Sequence, residues 1–289
     1  MRFQFIAKHR GAWRINDLCG ALGVSRGGFY EWLNRSPSRH EQVDRQLLAQ
    51  VRASFEQSDG TYGSSRVWRD LRAWGHPCSR ERVARLMREA GLQGRRRRRR
   101  LPGDAGVRSA SSVAPNLLDR QFEASGPNQR WVADFTYIWT AEGWLYLAIV
   151  LDLYSRRIVG WATSDRLKKD LALNAIRRAV ALRGPSPGLI QHTDRGSQYC
   201  SHDYRRLLKA HGIIASMSGR GNCYDNAMVE TVFKTIKNEL VWRTIFLTRP
   251  AAELALGRYI DGFYNPRRRH SALGYKSPVS FEAEMATTE

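Results

Sequence analysis

Through residue 94 the apolar positions recur every three or four residues, which predicts helices. Ile15, Leu18, Cys19 and Leu22 share one helical face. Gly23 breaks that pattern, and Ser25 is placed to cap a second helix carrying Phe29, Trp32 and Leu33. Two short helices across a tight turn make residues 13–34 a helix-turn-helix candidate, although an ordinary helical hairpin carries the same pattern. In the first case Arg26 and Tyr30 sit on the recognition helix. From Glu41 to Gln57, Val43, Leu47, Leu48, Val51 and Phe55 form the inner face of an amphipathic helix. A further helix runs through Val67, Trp68, Leu71 and Trp74 until Gly75-His76-Pro77 interrupts it. Ser79 caps the next, with Val83, Leu86 and Met87 inward and Arg80, Arg82, Arg85 and Arg88 largely outward. Gly91 closes it, so residues 64–91 are a second helix-turn-helix candidate.

The period shortens at Arg130. Trp131–Ile138 is rich in aromatic and β-branched residues and reads as a strand, with Asp134 and Thr136 on one face and Ala133, Phe135 and Tyr137 on the other. The apolar run Trp144–Leu151 predicts a strand buried on both faces, and Ile158–Thr163 a third. Asp170–Leu182 has helical spacing and ends at Pro185–Gly188. Leu189–Thr193 is a short strand ending at Asp194. A helix around Tyr204–His211, a strand at Ile213–Met217 and a helix over about Asp225–Leu240 complete the order βββαβαβα. That order predicts an α/β fold: a mixed five-stranded sheet with helices, of the ribonuclease-H-like type, preceded by an all-α region.

Between these halves the pattern is lost. Arg95–Arg100 is a run of arginines whose mutual repulsion resists folding. Arg95, Arg96, Arg97 and Arg98 are read as a basic tether able to lie along phosphates. Pro, Gly, Ser and Ala then dominate as far as Asn128. The expected organisation is therefore a helical region over 1–94, a linker over 95–127, and a core over 128–289 that includes a helical, basic C-terminal extension.

Charge narrows the function. Lys plus Arg number 47 against 27 acidic residues, a net +20, and Arg far outnumbers Lys. Arg suits bidentate phosphate contacts, so nucleic acid is the expected partner. No apolar run reaches bilayer length, and the N-terminus lacks the apolar segment of a signal peptide, so no membrane role is expected. Cys19, Cys78, Cys200 and Cys223 lack metal-knuckle spacing, which suits a reducing cytoplasm.

The candidate chemistry lies in three carboxylates. Asp194 and Glu230 are separated by thirty-five residues, and Asp134 lies upstream in WVADFTYI. Phosphoryl transfer on DNA uses two metal ions about 4 Å apart, and Mg²⁺ binds few protein carboxylates. Three carboxylates from separate elements suffice. On a helical wheel Glu230 borders the apolar arc of Val229, Val232, Phe233, Ile236 and Leu240, with Lys234 and Lys237 beside it. A surface Glu230–Lys234 pair accounts for that placement equally well. Asp152 competes for the first acidic position but reads as a turn residue. His192 is either a supporting or DNA-contacting side chain, or a buried hydrogen-bonded one. Asp225 and Asn226 read as caps of the last helix.

Several stretches carry a resemblance. NLLDRQF, PNQRWVADFTYI, GWLYLAIVLDLYSRRIVGW, HTDRGSQYCS, GNCYDNAMVETVFKTIKNEL and YNPRRRHSALGYKSPVSFE, spanning Asn116–Glu282, are similar to the integrase-core transposases of the IS-three family of bacterial insertion sequences. CGALGVSRGGFYEWL and YGSSRVWRDLRAWGHPCSRERVARLMREAGL resemble the helix-turn-helix region of the same proteins. The resemblance implies a DDE core in which Asp134, Asp194 and Glu230 hold two Mg²⁺ ions, with Mn²⁺ able to substitute. Lys237 matches a basic position associated with the transposon end, and Thr136 and Gly196 match the surroundings of the two aspartates. It implies DNA as partner, both terminal inverted repeats and target, and a homodimer or larger assembly on DNA. Such proteins are commonly joined by frameshifting to an upstream-frame product, and this chain is similar to the downstream product. Cleavage at transposon ends followed by 3′-OH strand transfer is the expected activity, in the bacterial cytoplasm and on the nucleoid when bound to DNA. Arg267, Arg268 and Arg269 are expected to grip the DNA backbone alongside Lys234. A purely hydrolytic nuclease and a non-catalytic DNA-binding regulator are the alternatives.

Overall fold

The computed structural model describes residues 1–36, 38–94, 114–118, 124–219 and 227–287. Arg95, Arg96, Arg97 and Arg98, and the capping candidates Asp225 and Asn226, lie outside the described residues.

Two helical units precede the sheet. Helices α1 (Arg2–His9), α2 (Ile15–Ala21) and α3 (Arg26–Asn34) close over Ile6, Leu18, Cys19 and Phe29. The Ser25 hydroxyl accepts the Gly28 amide at 3.0 Å, and Gly23 takes a φ of 62°, which explains the sharp turn. Helix α1 is an addition to the sequence reading: Phe3, Phe5, Ile6 and Ala7 are too few and too irregular to mark a face, and only Ile6 is fully buried. The second unit comprises α4 (Arg39–Gln57), α5 (Ser64–Ala73) and α6 (Arg80–Glu89). A Ser38–Glu41 capping box starts α4, and Ser79 caps α6. Leu47, Val51, Tyr62, Val67, Leu71, Val83, Leu86 and Met87 fill its core.

Two of the arginines expected to face largely outward are paired within this unit. Arg82 and Arg85 turn back onto Asp44 of α4, each at 2.6 Å, and Arg85 also meets Glu89 at 3.1 Å. They tie α6 to α4, although Arg85 keeps 42% of its side chain exposed. Arg80 stays exposed, beside Glu81 at 3.3 Å.

Five strands follow: β1 (Arg130–Thr140), β2 (Gly143–Asp152), β3 (Ile158–Ser164), β4 (Ile190–Thr193) and β5 (Ile214–Met217). Their order across the sheet is β3-β2-β1-β4-β5. The β3–β2 and β2–β1 junctions are antiparallel and the β1–β4 and β4–β5 junctions parallel. Helices α7 (Lys169–Arg183) and α8 (His202–Ala210) cover one face, packing on Trp131, Ala133, Ala148 and Val150. Helices α9 (Ala227–Glu239) and α10 (Arg249–Tyr259) cover the other, packing on Val132, Leu147, Ile149 and Leu151. The two-residue alternation thus assigns each β1 side chain to a face. At Gly160 the β3 backbone approaches α7 so closely that a Cβ would lie 2.3 Å from the Ala175 carbonyl oxygen. Among the described residues no helix is long and apolar enough to cross a membrane.

Beyond α10, a π-helical turn at Ile260–Tyr264 leads into the arginine-rich segment and α11 (Pro278–Ala286). Here the structure corrects two expected DNA contacts. Arg268 is buried and donates to both carboxylate oxygens of Glu239, at 2.6 and 2.7 Å, while the Tyr259 hydroxyl donates to the same carboxylate at 2.7 Å. Burial works against the Glu239 charge, but Arg268 and these hydrogen bonds outweigh it and hold the carboxyl below its ordinary range. Arg269 is engaged too. Its guanidinium lies 2.5 Å from Asp70 on α5, and its amide donates to the Tyr62 hydroxyl at 2.9 Å. Arg66 donates to the Arg269 carbonyl, and Arg243 reaches Asp59 at 2.7 Å. Of the three consecutive arginines only Arg267 is exposed. The segment docks the α4–α6 unit onto the core; Arg268 is buried away from any phosphate, and Arg269 is committed in part to Asp70 and the Tyr275 carbonyl.

Asp152 is the turn residue it was expected to be, and more. It is fully buried at the end of β2, where it accepts the amides of Tyr154 and Asn128 and the Trp131 indole N–H. Near it, Glu282 of α11 accepts from Ser155, Arg157 and both terminal nitrogens of Arg183, at 2.6–2.9 Å. Burial raises the Glu282 pKa, but Arg183, Ser155 and Arg157 outweigh that and hold it below the usual value. A depressed folded-state pKa gives stability that is full above the unfolded value of about 4.3 and lost as pH falls through the folded value. Thermal melts from pH 7 to 3 are therefore expected to show a steeper acid loss for wild type than for Glu282→Gln. Parallel curves would show that the clasp contributes nothing.

Candidate active site

The register of β1 against β4 builds the site. Ala133 pairs with Thr193 in the last step of this parallel ladder. Asp134 and Asp194 are each the next residue along, so two carboxylates leave neighbouring strands side by side. Asp134 shares its face of β1 with Val132, which lies under α9. The first turn of α9 carries Glu230. Three carboxylates from three elements thus converge where β4 stops and β1 continues.

Local hydrogen bonds orient the two aspartates. Asp134 Oδ1 accepts the amide of Phe135 at 2.7 Å, and Asp194 Oδ1 accepts the amide of Gly196 at 2.9 Å. Gly196 is thus in contact with the second aspartate, through its backbone. A Cβ there would crowd that same oxygen at 2.9 Å. Glu230 Oε2 lies 3.2 Å from Lys234 Nζ; Lys234 is exposed and Glu230 is half-buried. Lys237 Nζ sits 4.7 Å from the centre of the Tyr137 ring.

The electrostatics show the crowding. Burial, then the Asp194 charge, and more weakly Glu230, push the Asp134 carboxyl up to about 7, against the Phe135 amide and Lys237, which lower it. Burial likewise raises Asp194, opposed by the Gly196 amide. Asp134 is the carboxylate that feels both others. Such a cluster is short of positive charge, and its donors are all hard oxygens, which fits a divalent cation such as Mg²⁺. Among the described residues no three His, Cys, Asp or Glu side chains gather tightly enough for one ion.

The remaining candidates fall on either side. Thr136 is buried in the sheet on the Asp134 face, opposite Leu147. His192 is fully buried, its ring nitrogens 2.9 Å from the Ser216 hydroxyl and 3.1 Å from that of Ser218. It is the buried, hydrogen-bonded histidine of the two alternatives and does not face DNA. Arg26 is exposed, its guanidinium 5.7 Å from the Tyr30 ring centre. Tyr199 was not singled out from sequence. Its ring stacks on Phe135 at 4.7 Å, and it is completely buried next to the two aspartates. Burial, then the Asp134 charge, hold its hydroxyl far above the ordinary phenol value, hence neutral. The aromatic composition of HTDRGSQYC was the available signal.

The chain is similar to several known proteins. A family model described as an integrase core domain matches residues 124–223, and a second so described matches 211–278. A third, an HTH-like domain, matches residues 42–100, which run from the first turn of α4 through α6. Transposase InsF for insertion sequence IS3A of Escherichia coli K12 is 41% identical over 284 residues, 98% of each chain. The insertion element IS600 uncharacterized 31 kDa protein of Shigella sonnei is 41% identical over 264 residues, 91% of this chain and 97% of that protein. Among solved structures, the HTLV-2 integrase catalytic core domain in complex with magnesium is 18% identical over 55% of this chain and 99% of its own, with a TM-score of 0.43. The simian T-cell lymphotropic virus intasome is 15% identical over 76% and 70%, with a TM-score of 0.45. At this identity and over nearly the whole length, the chain belongs to the IS3-type insertion-sequence transposases, with an integrase core and an HTH-like helical region acting in DNA transposition.

Proposed function

We propose that Asp134, Asp194 and Glu230 are the catalytic carboxylates of a Mg²⁺-dependent DDE transposase. The observation that carries this is the β1–β4 register, which sets the two aspartates side by side under the helix bearing Glu230. When bound, a pair of divalent ions supplies Lewis-acid charge to the attacking and leaving oxygens of an in-line phosphoryl displacement. The chain's own part is to hold the carboxylates. The Phe135 and Gly196 amides fix the aspartates, and Lys234 steadies Glu230. Water opens a phosphodiester at the transposon end and frees a 3′-OH. That hydroxyl then displaces a second 3′-oxygen in the target, so one bond forms as one breaks and no covalent protein intermediate arises.

The α4–α6 unit, with Arg80, and the α1–α3 unit, with Arg26, are the proposed readers of the terminal repeats. Arg267 and the arginines at 95–98 are proposed backbone contacts. Two ends have to meet, so a homodimer or larger assembly on DNA, with or without an upstream-frame partner, belongs to the same reading, as does a cytoplasmic site of action. The test is a labelled DNA carrying the element's ends, scored for nicking and joining in Mg²⁺ and Mn²⁺. Glu230→Gln is expected to bind the ends like wild type and to give neither product. Wild-type cleavage by that variant, or nicking without joining by wild type, would refute the reading.

A further inference from the structure

Three aromatic side chains further along the β1–β2 hairpin, on the sheet face opposite Asp134, have no role in the chemistry above. Tyr137, Trp139 and Trp144 are 57%, 59% and 43% exposed on the β1–β2 hairpin. Exposed aromatics are costly to keep in water unless something covers them. They are not on a loose loop. Trp139 and Trp144 are directly opposed across the hairpin, and Tyr137 lies diagonal to Trp144. Arg249 braces the hairpin tip by donating to the carbonyls of Glu142 and Trp144, and the Ala141 amide donates to the Phe246 carbonyl. The ring contacts are edge-to-face, with centroids 5.0 and 4.8 Å apart and planes at 82° and 76°, so the rings do not use up one another's faces in stacks.

Charge and position say what the patch suits. Lys237 lies over the Tyr137 ring, at the near end of the patch, and its charge is also felt by Asp134, so one cation links the patch to the carboxylates. The chain as a whole carries +20. At about 3.4 Å per strand residue, Tyr137 and Trp139 lie roughly 10 and 17 Å from Asp134 along β1. That is about three to five base steps of a strand rising 3.4 Å per nucleotide. Rigid aromatic rings beside a cation are the elements of a sequence-tolerant stacking surface for bases. Within a duplex, neighbouring pairs cover both faces of a base, so such a surface acts on an unpaired or terminal one.

We infer that Tyr137, Trp139 and Trp144, with Lys237, form a stacking platform for unpaired DNA bases flanking the phosphate that is cut. The inference rests on the transposase reading for its substrate but not on cleavage for its test. The rival occupant is a second copy of this chain, because Ile245 and Leu247, beside the hairpin, are also exposed.

The probe is a blunt duplex and the same duplex with a short unpaired 3′ tail containing 2-aminopurine, whose fluorescence is quenched on stacking. Binding is measured in Ca²⁺, without turnover, using full-length protein. Wild type is expected to prefer the tailed duplex and to quench the tail. Trp139→Ala is expected to lose the quenching and about 5- to 150-fold of tailed-duplex affinity, the range for one lost base stack. Blunt-duplex affinity should be unchanged, and Trp139→Phe should restore most of the loss. Sedimentation velocity and thermal melts of each variant run alongside. Equal affinity of wild type for both duplexes, or undiminished quenching in Trp139→Ala, overturns the platform. So does a variant whose only change is in self-association. Failure of wild type to cut any end DNA would instead indict the transposase reading and leave this binding result standing.

Discussion

Asp134→Asn is expected to abolish both nicking and joining, by at least about 1,000-fold, while leaving the protein folded. The magnitude is that of losing several kcal/mol of transition-state charge stabilisation. Asn is isosteric, and its side-chain oxygen still accepts the Phe135 amide that Asp134 Oδ1 accepts. What it lacks is the charge shared between the partners on either side. The direction of the stability change makes the test sharp. Burial and two neighbouring carboxylates disfavour the ionised form of Asp134 in the folded state. Removing that charge is therefore expected to leave the melting temperature at pH 8 unchanged or slightly higher. A stable variant without activity is the expected pair of results. Joining above about one per cent of wild type, a residual far above a 1,000-fold loss, would remove Asp134 from the chemistry.

The largest stability effect is expected at Glu239→Ala. This carboxylate accepts from Arg268 twice and from the Tyr259 hydroxyl, all within the core between α9 and the C-terminal segment. Truncating it leaves a buried guanidinium without its anion and a buried hydroxyl without its acceptor. Breaking a buried pair from one side costs about 3–5 kcal/mol. At about 2–4 °C per kcal/mol for chains of this size, the melting temperature should drop on the order of 10 °C. Replacing both Glu239 and Arg268 by apolar residues of similar volume should cost much less, because no orphaned charge remains. Differential scanning calorimetry of the single and double variants checks both statements. A single variant melting within a degree of wild type would show that the pair is not a fastening.

The sheet was legible because its period is. Phe135 and Tyr137 against Asp134 and Thr136 gave the faces of β1, and the apolar run at Trp144–Leu151 gave a strand covered on both sides. The three carboxylates were legible as residues, but their convergence depends on the β1–β4 register, which one sequence does not encode locally. The partners of the arginines are hidden for a related reason. Arg85, Arg268 and Arg269 look alike in a sequence, and only tertiary structure brings Asp44, Glu239 and Asp70 to them. The sequence alone leaves His192 between two readings, and Ser216 in β5 and Ser218 just past its end decide it. Tyr199 went unnoticed because stacking on Phe135 joins a loop to a strand across dozens of residues.

The docking of the α4–α6 unit through Tyr62, Arg66 and Asp70 onto Arg269, and through Asp59 onto Arg243, has a mechanical consequence. Covalent continuity between residues 94 and 114 is not what sets the distance from this unit to the carboxylates. On the proposed reading, the spacing between DNA held by this unit and the phosphate that reacts is then gauged by the folded body, like the fixed jaw of a caliper. Lengthening the connecting chain should leave the cut position on the DNA where it was, whereas loosening Arg269 should let it wander.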